Sequence, residues 1–300
     1  MIDIVGKKLW YFAFSLAIII SGLASVAIWG LNLGIDFTGG SLLEIKFEEQ
    51  IDKSKLEEVV GEAGTEVVSI TPTQEQRYII RTKPLEKESR QNLQSALREE
   101  FGNVEIVSLE TIGPTIGQEL LRKAVTALVV AAIAIILYVA WAFRSVPKPA
   151  SSWRFGVIAI ITLLHDVLIV FGSFAILGRF FGATIDALFV TALLTIIGFS
   201  VHDTIVVFDR IRENLNKRVG ENFASTVNHS IMQTITRSVN TSFTVILVLI
   251  PIILFGGATL KWFTLALLIG VISGTYSSIF TAAPLLVVWQ DWSQKRSSGK

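Results

Sequence analysis

Five ionisable residues stand where the surrounding sequence is too apolar to solvate them. His202 and Asp203 follow an almost wholly apolar run from Ile185 to Ser200. His165 and Asp166 sit near the middle of another such run. Arg237 opens a third, among Thr236, Ser238, Asn240, Thr241, Ser242 and Thr244. Even lenient insertion scales put an Asp at the centre of a membrane helix at about 2.5–3.5 kcal/mol, so such a group marks a functional site by default. The chemistry suggested is proton transfer. Burial favours the neutral acid and a nearby guanidinium favours the carboxylate, so an Asp whose Arg can approach and retreat is a proton switch. A static Asp203–Arg237 ion pair tying two helices together is the competing reading. Adjacent residues point to different helix faces, so His165 and Asp166 are not expected to share one contact. One of them joins a relay, or they link helices as structural polar groups.

Other chemistries are excluded by residue type. There is no cysteine, and the three histidines, His165, His202 and His229, show no ligand spacing, so no metal or cofactor is expected. No nucleophile–base–orienter set is present, and the chain reads as a non-enzyme. Net charge is +1, which gives no basic field for nucleic acid.

The elements that must hold these residues are membrane helices. Hydrophobic residues make up 51% of the chain and charged ones 17%, against about 25% charged in soluble domains. Six segments reach the roughly 20 residues that a bilayer crossing needs: about 9–30, 121–143, 155–177, 185–208, 238–256 and 262–289. The first follows Lys7 and Lys8 and reads as an uncleaved anchor. Lys7, Lys8, Arg144, Lys148, Arg154, Arg210, Arg212, Lys217, Arg218, Arg237, Lys295, Arg296 and Lys300 fall on one side, whereas the opposite short loops hold only Arg179 and Lys261. The positive-inside rule then puts both termini in the cytoplasm and the insert 32–120 outside. The polar stretch 209–236, with Phe223, Val227, Ile231 and Ile235 at helical spacing, is expected to lie along the inner membrane surface before turning into the fifth span. Gly270, Gly274 and Ser278 form a small-residue face for close helix packing, and Pro251 is expected to kink the fifth span.

The insert has the periodicity of a small α/β domain. Ser41–Phe47 alternates as a strand. Ser54 and Glu57 suggest a capping box for a helix facing inward through Leu56, Val59, Val60 and Ala63, with Gly64 as its left-handed stop. Strands follow at Glu66–Ile70 and Arg77–Thr82. A second helix at Glu86–Phe101 turns Leu93, Leu97 and Phe101 inward, and Val104–Leu109 is the last strand. The order βαββαβ is that of a ferredoxin-like fold. GIDFTGG at 34–40 is glycine-rich but is followed by a strand rather than a helix. It is therefore no phosphate loop, and its glycines turn the chain between membrane and domain. Asp186, at the outer start of the fourth span, is expected to cap that helix.

Three stretches carry a resemblance to a known family: GIDFTGG at 34–40, HDV at 165–167 and HDTIVVFDRIREN at 202–214. With one span, an external domain and five further spans, the chain resembles the SecD/SecF family of protein-export membrane subunits, each half of an RND-like transporter. The resemblance implies an α-helical polytopic membrane protein, half of an RND-like six-helix bundle, with one external ferredoxin-like domain. The implied divisions are residues 1–31 (cytoplasmic N-terminus and first span), 32–120 (periplasmic domain), 121–290 (five spans with a cytoplasmic loop at 209–236) and 291–300 (cytoplasmic tail). It implies use of the proton-motive force to promote preprotein translocation across the cytoplasmic membrane after the ATP-driven step. Asp203 then falls on the family's membrane carboxylate and Arg237 on its arginine, with His202, where many relatives have Asn, and His165 and Asp166 beside them in the relay. Gly34, Asp36, Gly39, Gly40, Asp209, Arg210, Arg212 and Glu213 carry the family motifs. The implied partners are a separate SecD subunit, the SecYEG channel, YajC, the preprotein and membrane lipid. A half-size RND pump for small molecules, or a purely structural assembly subunit, would share part of this pattern.

Overall fold

The structure is a computed structural model and describes residues 3–73, 76–144 and 151–298. Lys148 and Lys300, used for orientation above, lie outside the described residues. The chain forms two compact units: Met1–Leu31, Ala127–Ala183 and Leu188–Lys300 make one, and Asn32–Thr126 with Thr184–Ala187 the other. The first opens with α1 (Lys8–Trp29), apolar around most of its girth, with a buried stripe of small residues at Ser15, Gly22 and Ser25.

The second unit begins with a single helical turn, α2 (Ile35–Thr38), inside the glycine motif where only a turn into a strand was expected. Then come β1 (Gly40–Lys46), α3 (Lys53–Glu62), β2 (Val67–Pro72), β3 (Arg77–Thr82), α4 (Lys87–Phe101) and β4 (Glu105–Ile112). The sheet order is β2-β3-β1-β4 with every pair antiparallel, the ferredoxin-like arrangement. Alternation on the central strands puts Leu43, Ile45 and Ile80 on one face, where Leu56, Val60, Leu93 and Leu97 meet them fully buried. The α3 cap differs from expectation. Asp52, not Ser54, is the N-cap, and its Oδ1 accepts from the Ser54 backbone N–H at 2.9 Å and hydroxyl at 2.7 Å. Those two bonds hold the Asp52 carboxyl below its usual range. Gly64, at φ +73°, follows the helix as expected.

The remaining helices are α5 (Pro114–Ala142), α6 (Ser152–Phe181), α7 (Ala187–Asn216), α8 (Phe223–Phe255), α9 (Ala258–Ser277) and α10 (Ala283–Ser298), the last two joined by a π-helical turn at Ser278–Ala282. Among the described residues, six helical stretches are long and apolar enough to cross a membrane, α9 to α10 counting as one. Half of the apolar window in α6, in α7 and in the α9–α10 stretch is buried, against 6% in α5, so the first three form the centre of the bundle. Packing rather than water exclusion holds helices together in lipid, so small residues decide the close crossings. A Cβ built on Gly172 of α6 would lie 2.5 Å from the Gly22 Cα of α1. One on Gly274 would come within 3.0 Å of the Ser200 Cβ, and one on Gly270 would collide with Ile196. The small-residue face of α9 is thus spent on α7, inside the bundle. Phe143, Phe155 and Phe208 fill one end, with ring centroids 5.0–5.9 Å apart.

Segment 209–236 is divided between two long helices, and no turn separates its last part from the fifth span. Its first part continues α7 to Asn216, and its last part is the start of α8, which runs unbroken to Phe255 with Pro251 inside it. Val227 and Ile231 face protein, packed in one core with Val207, Phe208 and Ile211. Asn214, buried on α7, donates to the Ser230 Oγ at 2.8 Å and to the Gln233 Oε1 at 2.9 Å, binding the two helices together.

Candidate functional site

Asp203 lies on α7, 7% exposed, among Ser200, Val201 and Val207 on the buried side of the helix. Its Oδ1 accepts from the Ser238 hydroxyl of α8 at 2.6 Å. Its Oδ2 is buried without a hydrogen-bond partner among the described residues. Next to it, the Thr204 hydroxyl meets that of Ser278, at the start of the π turn, at 2.8 Å. His202 and Arg237 are both exposed, and among the described residues there is no ion pair between Arg237 and Asp203. The helical period explains this arrangement. Ser238, one position beyond Arg237, turns inward to the carboxylate, so Arg237 points outward with Asn240, Thr241 and Thr244, which are also exposed.

Asp166 of α6 forms a second, fully enclosed centre, 0% exposed. The Ser200 hydroxyl donates to its Oδ2 at 2.5 Å and the Ser277 hydroxyl at 2.8 Å, while Ser273 donates to its Oδ1 at 2.7 Å. The His165 Nδ1 lies 3.0 Å from that same Oδ1, contrary to the expectation that adjacent residues could not share a contact. The side-chain torsions of the histidine bring its ring round to its neighbour. That ring stacks on Tyr276, and its Nε2 is buried without a partner among the described residues. Sequence reasoning missed Ser200, Ser273 and Ser277. Their signal is a serine at each of three positions within apolar spans, two of them four residues apart on one face of α9.

The glycine motif is built into the second unit. Gly34 donates its N–H to the Ile185 carbonyl at 2.8 Å, and the Ile185 N–H donates to the Asn32 carbonyl at 2.9 Å. The Ala187 N–H, at the first residue of α7, donates to the Asp36 Oδ2 at 2.7 Å. Gly39 and Gly40 have φ +73° and +137°, and a Cβ on Gly40 would lie 2.7 Å from the Thr82 carbonyl, so only glycine fits. The neighbouring half-buried Arg81 guanidinium is pushed down by burial, with the Asp186 and Asp36 carboxylates opposing that effect. The second motif forms a charge ladder along α7. Arg212 meets Asp209 at 2.6 Å, Arg210 meets Glu213 at 2.6 Å, and Lys217 meets Glu213 at 2.7 Å.

A bundle of apolar helices with two carboxylates sunk among hydroxyls, together with a small ferredoxin-like unit, defines a polytopic helical membrane protein with a small sheet domain. Residues 92–292 match the family model described as protein export membrane protein SecD/SecF, C-terminal, and residues 25–51 match that of the SecD/SecF GG motif. The chain belongs to the SecD/SecF family of protein-export membrane proteins. It is 47% identical to the protein translocase subunit SecF of Thermobaculum terrenum, over 97% of this chain and 95% of that protein. It is 33% identical to the protein translocase subunit SecDF of Bacillus subtilis, over 99% of this chain and 39% of that one. The crystal structure of SecDF, a translocon-associated membrane protein from Thermus thermophilus, superposes with a TM-score of 0.86 at 35% identity, over 97% of this chain and 39% of that chain.

Proposed function

We propose that this chain, a member of a family of protein translocase subunits, uses the proton-motive force to promote preprotein movement across the cytoplasmic membrane, and does so as a non-enzymatic subunit. One observation carries the reading. Asp203 sits in the middle of an apolar helix with one oxygen bound by Ser238 and the other unpartnered among the described residues. A carboxylate held in this way can take up and release a proton without dismantling its surroundings. His202 and Arg237 flank it as the groups through which a proton or a countercharge reaches it. His165 and Asp166 form the inner station of the same relay. Asp209, Arg210, Arg212 and Glu213 stiffen the end of the helix.

The exposed polar stripe of Arg237, Asn240, Thr241 and Thr244, with His202 beside it, is costly against lipid. A second membrane half covering it supports a SecD subunit as partner, since the relatives include SecDF chains. The SecYEG channel, YajC and the preprotein follow as further partners of the same machinery. In this reading both termini are cytoplasmic, and residues 32–120 stand on the periplasmic side.

The test is Asp203→Asn, reconstituted with SecD and the channel in proteoliposomes, with and without an imposed proton gradient. Asparagine keeps the bond from Ser238 but cannot titrate. The expected result is an assembled complex whose export no longer responds to the gradient, with partial recovery in Asp203→Glu. Full gradient-dependent stimulation in Asp203→Asn would leave Asp203 a structural tie.

A further inference from the structure

The glycine motif is not accounted for by proton movement, yet it is tied by backbone hydrogen bonds and a carboxylate to the segment that leads into α7. Residues 184–187, which lead into α7, belong to the same compact unit as residues 32–126. Leu33 and Ile185 pair as a short parallel bridge, through the Gly34 and Ile185 N–H groups. A Cβ on Gly34 would lie 3.0 Å from the Asp186 Cβ, so the two segments are in backbone-level contact. Asp36 then takes the Ala187 N–H, supplying from 151 residues away the carboxylate that a helix start favours. Arg81, on β3, carries its charge beside both Asp36 and Asp186. Two residues beyond α2, Gly40 begins β1, the strand that pairs with both β3 and β4. In the other direction α7 runs without a break from Ala187 through Asp203, roughly 24 Å further along by helical rise.

We propose that Asp36, supported by Arg81, is the positioning residue that couples proton uptake at Asp203 to the sheet of the small unit. It acts by fastening the first residue of α7 to the motif from which β1 starts. The helix that senses the proton and the strand at the centre of the sheet then share one anchor, and an axial movement of α7 is delivered to β1 instead of being absorbed in a loop. Gly39 and Gly40 permit this because only a chain without Cβ atoms can pass so close to Pro114 at the first position and to the Thr82 carbonyl at the second. The inference rests on the gradient-driven reading above.

The experiment uses the full chain assembled with SecD and the channel in proteoliposomes. It reads gradient-independent export, gradient-driven proton uptake and the gradient-dependent increment in export. Asp36→Ala removes the acceptor. Ala187→Pro removes the donor from the other side and suits the first turn of a helix, so it serves should Asp36→Ala fold poorly. Both are expected to keep gradient-independent export and proton uptake. The increment is expected to fall roughly five- to thirty-fold, the change in a two-state equilibrium when one helix cap is lost. Asp36→Asn, which still caps, restores most of the increment. An undiminished increment in both variants overturns the coupling. So does an increment lost only in step with gradient-independent export or proton uptake, which is the mark of a structural role. Wild-type export indifferent to the gradient, or an undiminished increment in Asp203→Asn, overturns the underlying relay itself.

Discussion

Asp166→Ala tests whether the enclosed carboxylate is the tie that holds α6, α7 and α9 together. The substitution leaves the Ser200 and Ser273 hydroxyls without their acceptor and the His165 Nδ1 without its partner in a site that is 0% exposed. Ser277 loses least, because its hydroxyl also reaches the Gly274 carbonyl at 3.1 Å. Hydrogen bonds between membrane helices average about 0.6 kcal/mol and reach about 1.7 kcal/mol, since the separated helices find other partners in the bilayer. Buried groups left unsatisfied in proteins cost about 1–3 kcal/mol each. Three such groups therefore give a loss of about 3 kcal/mol at the low end of the second range. At about 2–4 °C per kcal/mol for a unit of this size, Tm falls by about 6–12 °C. Asp166→Asn keeps an acceptor for Ser273 and His165 and offers N–H groups to hydroxyls that can rotate to accept, so it is expected to lose less than half as much. Thermal unfolding in detergent, followed by tryptophan fluorescence, measures both. A Tm for Asp166→Ala within about 2 °C of wild type, or equal losses in the two variants, would refute the tie.

Three further outcomes follow from features on other elements. In this cysteine-free chain, Ser54→Cys is expected to react with an impermeant maleimide added outside intact cells and Asn216→Cys is not; both positions are exposed, so the reverse pattern would invert the topology. Gly172→Val is expected to cost about 1–3 kcal/mol, because its Cβ meets the Gly22 backbone and no rotamer relieves the clash; an unchanged Tm would mean that α1 does not cross α6 there. The fragment 35–112 is expected to fold alone by circular dichroism, and in it the difference between wild type and Asp52→Ala should depend on pH. The Asp52 carboxyl is lowered in the folded state, so its contribution is complete above the ordinary Asp value of about 3.9 and is lost as pH falls through the lowered one; a difference that persists in strong acid would contradict the cap.

The small unit was legible because its signals are local and agree with one another. Period-two strands, period-3.6 helices and glycine stops each specify the same βαββαβ order. The error there, Ser54 for Asp52, arose because both residues are good caps two positions apart, and only the backbone decides which one turns out of the helix. The spans were legible from length and hydropathy, but their ends were not. Polar residues after Asp209 read as a loop, whereas charge pairs along α7 and the Asn214 bonds to α8 carry the helices onward. The π turn at Ser278–Ala282 leaves no trace in hydropathy. Asp203 and Asp166 stood out as carboxylates in apolar sequence, yet their partners are serines. A serine costs little in a span and therefore signals little, and only the fold shows Ser200, Ser273 and Ser277 converging from two helices on one carboxylate.

The Gly22–Gly172 crossing also bears on the order in which the chain is made. α1 ends at Trp29 and α6, which carries its glycine partner, begins only at Ser152. At about 5–20 residues per second, roughly ten seconds of synthesis separate the two. The strands of the sheet are all complete before α6 begins, so the small unit can fold while the earliest span still stands by itself in the bilayer. A helix that must live alone in lipid cannot carry charge along its length, and α1 has none between Leu9 and Trp29: Leu9, Trp10, Phe14, Leu16, Ile20 and Leu23 remain exposed even in the finished bundle, and only the small residues Ser15, Gly22 and Ser25 are buried. Its greasy outer face is what the waiting time requires, and its narrow stripe of Ser15, Gly22 and Ser25 is what lets later-made helices find it.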